Sequence, residues 1–67
     1  MIGNQTERAV TAEQRERLRL ALQRVRAAAA RGGVEAPGYE LEAAGLASLI
    51  DDLDEEIAEF DAAKRSA

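Results

Sequence analysis

The chain predicts an all-α fold, an antiparallel two-helix hairpin, and three observations carry that expectation. Apolar residues recur every three or four positions in two stretches, a Gly-Gly pair and a proline separate the stretches, and the two carry opposite charge. Residues 11–31 hold six Arg against two Glu, a net of +4, while residues 40–65 hold nine acids against two bases, a net of −7. The chain is expected to form a single domain over 1–67 that dimerises into a four-helix bundle.

Residues 1–10 (MIGNQTERAV) lack helical periodicity and are expected to be extended or frayed, with Ile2 and Val10 as anchors. Thr11-Ala12-Glu13-Gln14 fits a capping box. The Thr11 hydroxyl would accept from the Gln14 N–H, and the Gln14 side chain would reach back to the Thr11 N–H. A helix over 11–31 follows, with Leu18, Leu22, Val25 and Ala29 along one face. Its alanine run, Ala27–Ala30, favours helix and lets a partner backbone come close.

Gly32-Gly33 should end this helix, because a glycine just past the last turn takes the left-handed conformation without steric cost. Residues 32–36 are the connector, and Pro37 fits the first turn of the next helix, where its missing N–H is not needed. The second helix, 37–65, carries a heptad seam. Ala43, Ile50 and Ile57 fall at a, and Tyr39, Leu46, Leu53 and Phe60 at d. Such a seam suits a parallel two-stranded coil, but the flanking charges oppose one made of this helix alone. Asp54 and Asp61 stand at e and Glu56 at g, so Glu56 would meet Asp61 of an identical partner. Pairing with the arginine helix removes that conflict.

Leu46, Leu49, Ile50, Leu53, Ile57 and Phe60 are therefore expected to carry the buried interface, with Leu18, Leu22 and Val25 opposite them. Arg19 and Arg26 would supply orientation against Asp54, Glu56 and Asp61. Leu20 and Leu49 do not fit a single seam. Scattered surface leucines are ordinary, but Leu49 adjoins Leu46, Ile50 and Leu53 and is the better candidate for a second, intermolecular face.

The composition excludes much. There is no Cys and no His, so no disulfide, no thiol nucleophile and none of the commonest general bases. Thr6, Thr11, Ser48, Ser66 and Tyr39 have no base in a recognisable pattern, and no catalytic residue is expected. Asp51, Glu55 and Glu59 line one helix face, as do Asp52 and Glu56, but the seam positions are hydrocarbon and no calcium-loop glycine lies among them. Neither a metal nor a cofactor is expected. Arg17, Arg24 and Arg31 form a stripe that could lie on phosphates, yet the net charge of −4 opposes direct nucleic-acid binding. The start of the chain has no basic-then-apolar leader and no stretch is long enough to span a membrane. A soluble, cytoplasmic protein is the expectation.

A hairpin of this size needs help. A chain this short buries only about 60% of its unfolded surface, and alanine supplies 15 of its 31 apolar residues. Self-association is the simplest remedy.

Two stretches also carry a resemblance: Met1, Ile2, Asn4, Val10 and Thr11 at the start, and Leu46, Ser48, Ile50, Asp52, Leu53, Glu56, Ile57, Glu59, Phe60 and Lys64 toward the end. In this spacing the chain resembles the N-terminal segment of bacterial and phage helix-turn-helix regulators of the Cro/repressor type, some of them antitoxin-like. The resemblance implies a helical hairpin that associates with itself or with a helix-turn-helix or toxin-like protein. In the longer relatives a DNA-binding domain follows the acidic helix, and here the chain stops at Ala67, so an association module without its reader is the expectation. Two other readings compete. One is a small acidic inhibitor that docks on a basic site of a larger protein, and the other is weak DNA binding through the arginine helix.

Overall fold

The computed structural model describes residues 2–66, and within them the chain is two α-helices packed side by side. Helix α1 runs Gln5–Ala30 and α2 runs Ala36–Ser66. No strand occurs among the described residues. The result is a rod measuring 52 × 15 × 14 Å. Its radius of gyration is 15.0 Å, where a globule of this length would have about 11 Å.

Helix α1 starts at Gln5, and its N-cap lies seven residues before the Thr11 cap that the sequence predicts. Asn4 is the N-cap, with extended backbone, and its side-chain oxygen accepts from the Glu7 N–H at 2.9 Å. Glu7 in turn accepts from the Gly3 N–H at 2.9 Å. This is a capping exchange of the same kind, seven residues (about two turns) upstream. Thr11 sits inside the helix, where its hydroxyl donates to the Glu7 carbonyl at 2.9 Å. Gln14 is an exposed residue on the third turn. Residues 5–10 are thus helical rather than frayed, and Met1 and Ala67 lie outside the described residues.

The glycine break falls where the sequence placed it. Arg31 is the C-cap, and the Gly32 N–H donates to the Ala29 carbonyl at 3.0 Å. Gly32 and Gly33 have φ of 75° and 91°, a conformation that side chains with a Cβ rarely adopt. The connector is 31–35, one residue earlier than expected, and Pro37 occupies the first turn of α2. There the Tyr39 N–H donates to the Glu35 carbonyl at 3.2 Å.

The core is a single seam. Leu22, Ile50 and Ile57 are its only buried side chains among the described residues, 8, 7 and 4% exposed. Around them Leu18, Val25, Tyr39, Ala43, Leu46, Leu53 and Phe60 are each half-buried. Ile2 is half-buried too and lines one hollow with Phe60. Val10, in contrast, is exposed and anchors nothing.

Candidate association site

The seam has two edges, and adjacent residues mark them. Successive residues of a helix point about 100° apart, so Gln14 and Arg15 on α1, and Leu53 and Asp54 on α2, aim at opposite edges.

One edge is a ladder of ion pairs. Arg8 donates through Nε to Asp61 Oδ1 at 2.7 Å and through Nη2 to Oδ2 at 2.8 Å, a two-pronged contact. Arg15 Nη1 donates to Asp54 Oδ1 at 2.9 Å, and Arg19 Nη2 approaches the same oxygen at 3.5 Å. The arginine number rises by seven from rung to rung while the aspartate number falls by seven. That sets the antiparallel register, and a third step puts Leu22 level with Ala47. The ladder therefore turns to hydrocarbon toward the connector. Hydrogen bonding from Arg8 holds the Asp61 carboxyl below the usual carboxylate range, and the charges of Arg8, Arg65 and Lys64 push it the same way. The same pairing raises the Arg8 pKa further. Arg15 is the less comfortable member, since its Nε is buried without a hydrogen-bond partner.

The other edge is an open groove of about 460 Å³ lined by Gln14, Arg17 and Leu18 of α1 and by Leu49, Asp52 and Leu53 of α2. Leu49, expected in the buried interface, is instead 52% exposed on its wall, because it stands to one side of the α2 seam. No ion pair among the described residues bridges these two walls. Arg17 pairs only along its own helix, with Glu13 at 2.8 Å.

The expected pairing set is thus redistributed. Asp54 and Asp61 both take part, and Arg19 reaches Asp54 at the limit of pairing distance. Arg26 makes no ion pair among the described residues, because at its height α2 offers Ala43 and Ala47 rather than acids. Glu56 stands half-buried by the groove edge and lines the hollow with Ile2 and Phe60. The principal cations are Arg8 and Arg15, not the expected Arg19 and Arg26. Their signal was present: Arg8, Arg15, Leu22 and Ala29 are spaced by seven, in step with Asp54 and Asp61. Starting the helix at Thr11 hid it by leaving Arg8 outside. Leu20, 47% exposed, points away from the seam.

No group of three or more carboxylates gathers to hold a metal ion among the described residues. Neither helix is long and apolar enough to cross a membrane. The chain matches no protein-family model, no curated protein and no solved structure.

Proposed function

We propose that this chain is a non-enzymatic association module of the repressor or antitoxin-like kind, working in the cytoplasm, and that it dimerises through its groove edge into a four-helix bundle. Surface area is the observation that carries this reading. A compact monomer of this mass would expose about 4,100 Å², whereas the hairpin exposes 4963 Å². The excess, about 860 Å², is close to the roughly 800 Å² that one partner buries in a protein–protein interface of standard size. A second copy laid on the groove would cover Leu18, Leu49 and Leu53 and add the second layer that a two-helix seam lacks. Beyond itself, a helix-turn-helix or toxin-like protein is the partner that the sequence resemblance suggests.

Sedimentation or light scattering in moderate salt tests this directly. Twice the 7.2 kDa chain mass, with a melting temperature that rises with concentration, is the expected result. A folded chain that stays monomeric at tens of micromolar overturns it. A second reading has one observation in its favour: Asp51, Asp52, Glu55 and Glu59 are exposed along α2 and form no ion pair among the described residues. A monomer that used this acidic face would act as an inhibitor of a basic site, with affinity falling steeply as salt is added.

A further inference from the structure

The charges flanking the groove bear on how a second copy would lie. Arg17 and Asp52 face each other across the groove at the same height, two residues on from Arg15 along α1 and two back from Asp54 along α2. They do not pair within the chain. Arg17 holds Glu13, an exposed pair one turn apart that binds weakly, and Asp52 has no ion-pair partner among the described residues. Farther toward the connector, Arg24 and Arg31 continue the Arg17 stripe at steps of seven. By the same register they lie level with Gly45 and Gly38, where added Cβ atoms would meet nothing. Of the groove-side cations of α1, Arg17 thus faces a carboxylate that it does not pair with, Arg24 and Arg31 have none at their own height, and Asp52 and Glu59 form no ion pair among the described residues.

Two copies packed face to face on a two-fold axis have two choices. With the axis across the rods, the connectors lie at opposite ends and like helices stack. Centred on the groove, that sets Arg17 against Arg17 and Asp52 against Asp52, like charges on both sides. With the axis along the rods, the connectors lie at the same end and each arginine helix covers the acidic helix of the other copy. Arg17 then meets Asp52 of the second copy, twice by symmetry, and Ala21 of α1 comes within one residue of the height of Leu49 of the second copy, a small residue beside a large one. Arg24 and Arg31 come opposite glycines, which leave room for a guanidinium to reach the intervening Glu42 of the second copy.

We infer that the second copy lies with its connector at the same end, and that two symmetric Arg17–Asp52 pairs across the interface select this arrangement. The inference rests on the dimer reading above. Two experiments test it on the full chain. The chain has no cysteine, and Val34 in the connector is 98% exposed, so Val34→Cys accepts a spin label without disturbing the seam. Labels separated by about two helix diameters, ~20 Å, are expected. A dimer with labels separated by roughly the 52 Å rod length overturns the arrangement and leaves the dimer standing. A single-chain mass with no label–label distance overturns both.

Charge reversal supplies the second test. Arg17→Asp or Asp52→Arg alone turns both pairs repulsive and should weaken the homodimer about ten- to a hundredfold. Mixing the two variants restores both pairs, so the mixture should form heterodimers with near-original affinity. Variants that dimerise as well alone as mixed would sink the pairing, even if the mass remains that of a dimer.

Discussion

The two edges of one seam solve the same problem in opposite ways. On the ladder edge, Arg8, Arg15 and Arg19 reach over the seam and end on Asp61 and Asp54, so polar groups close it within a single chain. On the groove edge, Leu18, Leu49 and Leu53 come to the surface between polar rims, and no ion pair among the described residues crosses. A ladder of partly exposed ion pairs contributes little net stability, because desolvation and side-chain ordering offset most of the attraction. Its value is geometric, since only one register satisfies two rungs. An uncovered apolar edge works the other way. It gives the hairpin little on its own and becomes favourable when another surface removes it from water. One edge sets the fold's register, and the other stays open.

The largest expected effect comes from the seam that both edges share. Ile57→Asp places a charge at the least exposed side chain of the core, at a cost of about 3–5 kcal/mol. Helical circular dichroism and association should be lost together, and Ile50→Asp should behave alike. Retained helix content with unchanged mass would mean that the seam is not the core.

Next comes a substitution that separates the edges. Leu49 is half exposed in the hairpin, so Leu49→Asp should cost the isolated fold no more than about 1 kcal/mol while preventing dimerisation. Sedimentation should report the monomer mass. A dimer that survived this change would place the interface elsewhere.

A smaller effect, and of unusual sign, is expected on the ladder. Arg15→Leu removes a guanidinium whose Nε is buried and unpaired, and Asp54 keeps Arg19 close by. Replacing a partly buried ion with hydrocarbon is often neutral or stabilising, so thermal unfolding should shift by no more than about 1 kcal/mol, and upward if at all. A loss larger than that would show the ladder to be a stabilising device rather than a register mark.

The smallest effect is a pH dependence. Asp61 has a lowered pKa in the folded chain, so the folded state releases that proton more readily than the unfolded state does. The stabilisation is complete above the ordinary carboxylate value of about 4 and is lost as pH falls through the lower folded value. Arg8→Leu should flatten that part of the acid-unfolding profile below about pH 4. An unchanged profile would show that Asp61 gains nothing from Arg8.

Much of the fold is legible in the sequence. The seam of α2 shows in its 4–3 spacing from Tyr39 to Phe60, because a helix repeats its face with that period whatever it packs against. The break at Gly32-Gly33 shows because left-handed backbone is a local demand that glycine meets best. The start of α1 was less legible. Asn4-x-x-Glu7 and Thr11-x-x-Gln14 are both acceptable caps, and local chemistry gives no decisive choice between them. Choosing the inner one left Arg8 off the helix and shifted the expected cation roles to Arg19 and Arg26. On the candidate site, Leu49 stood out because it widens the stripe of α2. The groove beside it could not be read, since its other wall belongs to α1.

The sequence alone determined two helices, their amphipathic phase and their opposite charge, since periodicity, glycine conformation and composition act within a few residues. Only the tertiary structure decided the register, and with it that Arg8 and Arg15 rather than Arg26 meet the aspartates, and that one edge closes while the other stays open. The physical reason is that register is a property of two helices together. Sliding one past the other by a heptad preserves the apolar match, and the choice falls to which charged and capped ends come level.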